Sequence, residues 1–314
     1  MLQKFISTLI KFLIIAVSSY ILIVIIWGHV APDSLKINIQ EPTSGYMKDR
    51  IDEIQEYDDV DILFIGASNV YRGIDPRIFE NHGITIFNLG SNSQTPEQTL
   101  ILLKQYLGSL DPKLVVMDVY PSNFEKDGVE SMLDVITNSK VDKDVIKYVL
   151  KNPNIKLINA LIYKAGKQIL SLKDSDQTGE RNTAKSEYVS GGYAEYYASE
   201  NNYIKTFPEA EWELQMKQLE AFNCIIDLLT ASEYPFFLMR TPLANYKYSS
   251  FNNNPEVDSI FSEYGEFYNF QNHVKLSDTL DFLDGTHLSQ SGVHKFNDAL
   301  IKYLKDKNFI TGSK

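Results

Sequence analysis

The sequence predicts a doubly wound α/β domain that follows one N-terminal membrane-spanning helix. Short apolar runs rich in β-branched residues alternate with helical stretches, which is the pattern of a parallel sheet covered by helices. Residues 12–27 form a separate apolar stretch without any charge. With 314 residues, 44% of them hydrophobic, the chain has ample material for a buried core.

Charge and cysteine content exclude several classes of function. The formal net charge of −11 argues against nucleic-acid binding, which needs clustered lysine and arginine to neutralise phosphates. The single cysteine, Cys224, excludes an internal disulfide and a zinc site built on several thiolates. Its neighbours Ile225 and Ile226 predict that this thiol is buried. Without a glycine-rich phosphate loop or clustered histidines, we expect no metal or organic cofactor.

The first thirty residues predict a membrane anchor. Residues 12–27, extended by the apolar residues around Lys11, are long enough to cross a bilayer as a helix. Lys4 and Lys11 precede the stretch and Asp33 follows it, so the positive-inside rule places the N-terminus in the cytoplasm and the rest of the chain outside. We therefore expect residues 1–30 to anchor a single-pass protein in the cell membrane.

Two alternatives to an uncleaved anchor share the same apolar stretch. A cleaved signal peptide starts in the same way, but its apolar region is usually shorter, and His29 and Ala31 match a cleavage site poorly. A buried core helix is the other alternative, and such a helix is seldom apolar on every face.

Residues 31–57 form a polar connector that ends in a predicted helix. Apolar residues recur there at helical spacing, at Met47, Ile51 and Ile54. Acidic residues are frequent between positions 52 and 61. Because no histidine or glycine-turned loop accompanies them, they predict a solvated surface and not a metal site.

Residues 58–314 form the predicted extracytoplasmic domain. Four apolar runs predict buried parallel strands, at residues 60–65, 84–89, 114–119 and 235–239. Helices are clearest at 96–107 and 209–230. Residues 125–232 as a whole predict a mostly helical insertion, with a polar surface loop at 173–190.

Ser68 lies just past the carboxyl end of the strand predicted at 60–65. Ligands of open α/β sheets collect at this edge, and a helix that starts after the serine directs its N–H groups toward the same place. The hydroxyl is therefore well placed as a nucleophile. The alternative is that Ser68 only caps the helix.

Asp284 and His287 lie three residues apart in a turn-forming stretch that contains Gly285. A carboxylate at this spacing can accept the Nδ1 proton of the imidazole, fix its tautomer and stabilise the imidazolium. None of the other histidines has an acidic residue three positions before it. A capping or surface role is the alternative. Together with Ser68, the pair suggests a Ser–His–Asp triad in the chain order serine, aspartate, histidine.

Three short motifs in this order resemble the SGNH (GDSL-like) hydrolase superfamily. Gly66-Ala67-Ser68 stands where that family has its nucleophile block, Asn88-Leu89-Gly90 matches the second block, and Asp284-Gly285-Thr286-His287 matches the last. The resemblance spans about residues 60–305. It implies a flavodoxin-like, three-layer α/β/α fold with a parallel sheet. It also implies that Ser68 attacks an ester carbonyl, that His287 acts as general base and then acid, and that Asp284 orients the imidazole.

The resemblance further implies an oxyanion hole formed by the backbone N–H groups of Ser68 and Gly90. The family's third block, Gly-x-Asn-Asp, donates to the same oxyanion and has no counterpart in the segment VVMDVYPSNF. Asn92 and Asn123 are the candidates for this missing donor, and a loop role is the alternative for each.

The predicted function is that of a serine esterase that removes O-acyl groups, acetyl foremost, from a cell-surface polysaccharide or a teichoic-acid-like polymer. The polymer is assigned by analogy with anchored relatives, some of which work beside a membrane acyltransferase. An O-acyltransferase, in which a sugar hydroxyl or a carrier thiol intercepts the acyl-serine, is one alternative. A non-catalytic envelope scaffold that retains the fold is the other.

Overall fold

The computed structural model describes residues 1–32, 35–36, 45–172, 185–197 and 206–310. The chain forms two compact units. The first contains Met1–Pro42 and Met132–Gln177, and the second contains Thr43–Ser131 and Thr178–Lys314. Of the helical insertion expected at 125–232, residues 132–177 fall in the first unit and the residues on either side fall in the second.

A five-stranded parallel sheet is the centre of the second unit. The described strands of the chain are β1 (Ile62–Ile65), β2 (Ile86–Asn88), β3 (Leu114–Asp118), β4 (Ser186–Val189), β5 (Tyr193–Tyr196), β6 (Phe236–Arg240) and β7 (Phe267–Asn269). The order across the sheet is β2–β1–β3–β6–β7, and every neighbouring pair is parallel. Counted along the chain this is the 2-1-3-4-5 order of flavodoxin-like folds, which confirms the predicted fold class.

Both units contain helices. Those of the first unit are α1 (Leu2–Val30), α8 (Lys143–Lys151) and α9 (Ile155–Leu170), and α7 (Val129–Asn138) carries the chain from the second unit into the first. Those of the second unit are α2 (Met47–Glu53), α3 (Ser68–Gly73), α4 (Pro76–Glu80), α5 (Pro96–Leu110), α6 (Ser122–Glu125), α10 (Met216–Ala231), α11 (Asn245–Tyr248), α12 (Asn254–Ser262) and α13 (Gln290–Asp306). One apolar cluster joins strand residues such as Phe64 and Val116 to Val70 of α3 and Phe296 of α13.

Helix α10 corrects one prediction. It begins at Met216, later than the position expected for the helix at 209–230, and it packs against α5. Cys224 is exposed on this helix instead of buried, whereas the next residue, Ile225, is fully buried. Two residues adjacent on a helix point about 100° apart, so the apolar neighbour faces the core and the thiol does not.

A β-hairpin corrects the surface loop expected at 173–190, of which residues 173–184 lie outside the described residues. Strands β4 and β5 pair antiparallel, with Val189 opposite Tyr193. The turn contains Gly191 and Gly192, whose φ angles of +88° and +83° favour glycine. A β-carbon on Gly192 would lie 2.4 Å from the carbonyl oxygen of Asn88, so the turn packs closely against the end of β2.

Helix α2 contacts this hairpin and corrects a further prediction, that of a solvated acidic surface between positions 52 and 61. The apolar residues expected to face the core are buried, namely Met47, Ile51 and Ile54. Glu53 is buried as well and does not belong to a solvated acidic surface. Its carboxylate accepts hydrogen bonds from the hydroxyls of Tyr188 and Ser190 and from the N–H of Gly191. The acidic side chain therefore joins α2 to the hairpin.

The first unit contains the one helix of the described residues that is long and apolar enough to cross a membrane. The most apolar 18 residues of α1 have a mean hydropathy of 2.7, and only 6% of these residues are buried. Its second half packs along α9: the Tyr20 hydroxyl donates to Asn159, and Gly28 lies against the ring of Tyr163. Large apolar side chains stay exposed at the end of α9, at Ile169 and Leu170.

Candidate active site

The turn between β1 and α3 presents Ser68. Gly66 has a φ of +152°, and a β-carbon there would lie 2.8 Å from Val70 and 3.1 Å from the β-carbon of Asp118. Glycine is therefore the residue that this crowded turn accepts. The N-cap position of α3 is occupied by Ala67, and Ser68 is the first helical residue. Ser68 is therefore not the residue that caps α3, and its hydroxyl is free to bind another partner.

His287 is that partner. The distance from its Nε2 to the Oγ of Ser68 is 2.9 Å, although 219 positions separate the two residues. Its Nδ1 lies 2.8 Å from Oδ2 of Asp284. The three predicted triad residues thus form one continuous hydrogen-bonded chain. A neutral imidazole that donates from Nδ1 to the carboxylate keeps the lone pair of Nε2 for the serine hydroxyl.

The turn of residues 284–287 fixes the carboxylate. Oδ1 of Asp284 accepts hydrogen bonds from the N–H of Thr286 at 2.8 Å, from the hydroxyl of Thr286 at 2.9 Å and from the N–H of His287 at 2.9 Å. Burial raises the pKa of Asp284, but its hydrogen bonds and the charge of His287 outweigh burial and hold this pKa well below its ordinary value. Asp284 is therefore an ionised, oriented acceptor at neutral pH.

The pKa of His287 is lowered. Burial is the largest cause, the hydrogen bond with Asp284 acts in the opposite direction, and the positive charges of Arg72 and Lys126 lower the pKa further. At neutral pH the imidazole is therefore uncharged, which is the form that can accept a proton from Ser68. Sequence reasoning missed both cations, although the position of Arg72, one helical turn after Ser68, is a signal that could have revealed it.

Gly90 packs directly against the turn that carries Ser68. A β-carbon at Gly90 would lie 2.9 Å from the carbonyl oxygen of Ala67 and 3.1 Å from that of Gly66, so no larger residue fits without a shift. The carbonyl of Gly90 accepts a hydrogen bond of 2.8 Å from the guanidinium of Arg50, which is fully buried. The loop predicted to supply an oxyanion donor is therefore held close to the serine.

The two asparagines considered as further oxyanion donors lie in different elements. The amide oxygen of Asn92 accepts a hydrogen bond of 3.0 Å from the Tyr71 hydroxyl. Asn123 is buried in α6, directly after β3. Within the described part of the chain neither hydrogen-bonds to Ser68, and the identity of a third donor stays a prediction.

A second buried network, which the sequence analysis missed, lies beneath the nucleophile turn. Oδ1 of Asp118, the last residue of β3, accepts from the N–H of Thr241 at 3.0 Å and from its hydroxyl at 3.2 Å. The amide of Asn69, the residue after Ser68, donates to the same hydroxyl at 3.1 Å. Burial raises the pKa of Asp118 to about 6. The network connects the end of β3 to the turn that carries the nucleophile.

The described residues contain no group of three histidine, cysteine or acidic side chains that could hold a metal ion. Fold and site together define a flavodoxin-like α/β protein with a hydrogen-bonded Ser–His–Asp triad.

Comparison with protein-family models and with curated protein sequences gave no match. Among solved structures, similar chains include GDSL-like and acylhydrolase proteins, the superfamily that the sequence motifs resemble. One, from Bacteroides fragilis and provisionally named an acylhydrolase, is 12% identical, with a TM-score of 0.43 over 86% of this chain and 100% of its own. A GDSL-like lipase from Bacteroides thetaiotaomicron is 11% identical, with a TM-score of 0.37 over 78% of this chain and 88% of its own.

A third similar structure comes from Streptococcus pneumoniae and is provisionally named a platelet activating factor. It is 14% identical, with a TM-score of 0.42 over 82% of this chain and 94% of its own. Identities and TM-scores this low support no conclusion about activity. The fold assignment rests on the strand order, and the chemistry rests on the triad.

Proposed function

We propose that the chain is a serine esterase that removes O-acyl groups through an acyl-serine intermediate. One observation carries the proposal: the hydrogen-bonded chain from Ser68 through His287 to Asp284, with 2.9 Å between Oγ and Nε2 and 2.8 Å between Nδ1 and Oδ2. A nucleophile hydrogen-bonded to a base, and that base oriented by a carboxylate, is the arrangement that activates a serine for acyl transfer.

The reaction follows from these contacts. Oγ of Ser68 forms a bond to the ester carbonyl carbon while its proton moves to Nε2 of His287. The imidazolium, stabilised by Asp284, then gives this proton to the departing alcohol as the ester bond breaks. A water molecule attacks the acyl-serine and passes a proton to Nε2. The imidazolium then returns this proton to Oγ as the acyl–Oγ bond breaks, which releases the carboxylic acid and restores Ser68. The N–H groups of Ser68 and Gly90 are assigned to the oxyanion, where loss of one donor costs about 3 kcal/mol of barrier in such sites.

The substrate is assigned to an acylated cell-envelope polymer. The length and hydropathy of α1 support a membrane anchor, and the lysines that precede its most apolar part support an external second unit. A triad outside the membrane would meet surface polysaccharides or teichoic-acid-like chains. Interception of the acyl-serine by a sugar hydroxyl in place of water would make the protein an acyltransferase, and a membrane acyltransferase would be a fitting partner in either case.

A serine-directed probe tests the proposal. The full chain in detergent is treated with a fluorophosphonate, with p-nitrophenyl acetate turnover measured in parallel. We expect Ser68→Ala to abolish labelling and turnover, and Ser259→Ala, which changes an exposed helical serine, to retain both. Equal labelling of Ser68→Ala, or a folded wild type that neither labels nor turns over, would contradict the proposal and favour the scaffold alternative.

Hydrolysis and transfer are distinguished in a second experiment. The wild type is given an acetylated donor ester together with a deacetylated oligosaccharide, and the products are separated by mass spectrometry. Free acetate alone indicates an esterase. Acetylated oligosaccharide that requires Ser68 indicates a transferase.

A further inference from the structure

Arg72 differs from the other described arginines in its partners. Arg50 donates to three backbone carbonyls, Arg77 pairs with Asp75 and Glu195, and Arg240 pairs with Asp258, so these three guanidinium groups are held by the fold itself. Within the described residues Arg72 forms no hydrogen bond and no ion pair. Its buried Nε has no hydrogen-bond partner there.

The position of Arg72 is defined by the hairpin and by α3. Its guanidinium lies over the ring of Tyr196 in β5, 3.9 Å from the ring centroid. It follows Ser68 by four residues on α3, which is about one turn, so the two side chains leave the same face of the helix. Its charge acts on His287, in line with a place beside the triad.

A second cation lies on the oxyanion side of the site. Nζ of Lys126 donates to Oγ of Ser93 at 3.1 Å, and Ser93 belongs to the loop that begins at Gly90. The charge of Lys126 also acts on His287. Two positive charges therefore act on His287 in a chain whose formal net charge is −11. Lys126 also interacts with the negative charges of Glu125 and Glu130, whereas Arg72 has no ion pair within the described residues, so Arg72 is the cation better able to attract an anion.

Stacking on Tyr196 is by itself a structural contact, because a guanidinium over an aromatic ring gains a cation–π interaction. The stack, however, uses only the face of the planar group. The N–H donors point outward from its edge, in the fork geometry that matches carboxylate or phosphate oxygens. The ring thus fixes the plane of the guanidinium, and none of its edge donors forms a hydrogen bond within the described residues.

We propose that Arg72 binds an anionic group of the substrate, a carboxylate or a phosphate, next to the ester that Ser68 attacks. The inference rests on the proposed function for the identity of the attacked bond, and it specifies the substrate as an acylated polyanion. Arg72 is a specificity-determining residue and takes no part in bond making.

Binding to an inactive triad tests the inference without relying on turnover. The full chain with Ser68→Ala is titrated in detergent with three probes: acetylated oligogalacturonate, its uncharged methyl ester, and an oligomer of glycerol phosphate. We expect one or both anionic probes to bind at least tenfold more tightly than the methyl ester, and the two anionic arms distinguish carboxylate from phosphate recognition. Adding Arg72→Gln removes this preference, and Arg72→Lys restores part of it.

Two controls separate recognition by Arg72 from general charge and from misfolding. Lys302→Gln removes one positive charge from an exposed position of α13, and it should leave the preference unchanged. Tyr196→Phe keeps the stacking ring and should bind as the parent does, whereas Tyr196→Ala should weaken anion binding. Equal affinity of the parent for charged and uncharged probes, or equal effects of Arg72→Gln and Lys302→Gln, overturns the inference.

The role of Arg72 and the proposed esterase activity can fail independently of each other. In active enzyme at pH 8.5, above the acidic limb, Arg72→Gln should raise KM for an anionic ester at least tenfold more than KM for a neutral ester, whereas Lys302→Gln should affect both esters equally. Anion binding that depends on Arg72, in a chain that no fluorophosphonate labels, would contradict the esterase and retain the anion site. Labelling at Ser68 without any charge preference would retain the esterase and contradict the role of Arg72.

Discussion

Ser68 stands one position beyond the helix cap, and this offset decides what its hydroxyl can do. A serine at the cap accepts hydrogen bonds from the first N–H groups of the helix, whereas Ala67 occupies that position here. The hydroxyl is left to donate to His287 at 2.9 Å. The direction of this hydrogen bond requires an uncharged imidazole, so the activity of the site depends on the protonation of one histidine.

The pH dependence of the activity follows from the environment of His287. Its pKa lies below the ordinary value of 6.5, so kcat/KM should stay high to more acidic pH than an unperturbed histidine would allow. Arg72→Gln removes one charge that lowers this pKa, and the acidic limb should therefore move to higher pH. The measurement is kcat/KM for a neutral ester between pH 4.5 and 8.5.

Lys302→Gln is the charge-matched control for that profile and should leave the acidic limb in place. Asp284 stays ionised over this range because its pKa is held well below its ordinary value, so only one acidic limb is expected. An acidic limb that is unmoved, or that moves downward, in Arg72→Gln would contradict the position of Arg72 beside the triad.

At the scale of elements, strand ends and turns determine the geometry of the site. Asp118 ends β3 and connects through Thr241 to Asn69, the residue after the nucleophile. Burial raises the pKa of Asp118 from 3.8 to about 6. Because the folded pKa lies above the unfolded one, the stabilisation linked to this group is complete below pH 3.8 and is lost as pH rises through 6.

Asp118→Asn should therefore alter the pH dependence of stability. The amide cannot ionise, so the melting temperature of the variant relative to the wild type should increase as pH rises from 4.5 to 7.5, by about 2 to 4 °C for each kcal/mol. Thermal melts at several pH values provide the measurement. Asp298→Asn, which changes an exposed carboxylate on α13, should show no such trend. A parallel pH dependence of Asp118→Asn and wild type would contradict the raised pKa.

The hydrogen bonds between Glu53 of α2 and the β4–β5 hairpin lead to a prediction about stability. Glu53→Gln removes the charge that accepts hydrogen bonds from Tyr188, Ser190 and Gly191. We expect the free energy of unfolding to fall by about 1 to 3 kcal/mol, and amide exchange in β4 and β5 to become faster. Denaturant titration and hydrogen exchange provide the two measurements. Glu56→Gln, at an exposed position of the same segment, should change neither.

The sequence predicts elements that are apolar throughout and misses those whose pattern is mixed. β1 consists of four fully buried residues, and its apolar run is a clear strand signal. β7 has three residues, all only partly buried, and so short an edge strand has no distinct pattern. The hairpin lies in a polar stretch, although Gly191-Gly192 between runs rich in tyrosine and valine is a turn signal that could have revealed it.

The residues of the candidate site also fall into those that the sequence predicts and those that it misses. Ser68, Asp284 and His287 are found from the sequence because each belongs to a short local motif with a chemical rationale. The spacing of Arg72 from Ser68 could have placed it on the same helix face, but its stacking partner Tyr196 lies more than a hundred positions away in the chain and is not predictable from that spacing. Partners brought together only by the tertiary fold leave no local pattern in the sequence.

At the scale of the whole molecule, α1 predicts how the protein behaves in cells. If the proposed anchor is retained, the full chain should stay in the membrane pellet after alkaline carbonate extraction and should retain Met1 by mass spectrometry, because His29 and Ala31 match a cleavage site poorly. Replacing exposed apolar residues of α1, such as Ile14, Ile15 and Leu22, by polar ones should release the protein. A mature chain that begins near residue 31 would contradict the anchor and favour a signal peptide.

The single cysteine provides a direct measurement of orientation. Cys224 is exposed on α10, and we expect a membrane-impermeant maleimide to label it in intact cells. Cys224→Ser is the control and should remain unlabelled. Protection of the thiol in intact cells, followed by labelling after lysis, would contradict an external second unit.

The contact between α1 and α9 has a practical consequence for purification and crystallisation. Deleting the N-terminal helix, the customary way to obtain a soluble fragment, would uncover the side of α9 on which Tyr163 and Gly166 meet Gly28 and Ile25. The fragment would then expose a new apolar surface on α9, and it would self-associate or bind detergent although it lacks the N-terminal helix. Removing only the residues before Tyr20 would keep α9 covered, but the exposed side chains of Leu22, Ile23 and Ile26 would remain, so this fragment would still need detergent.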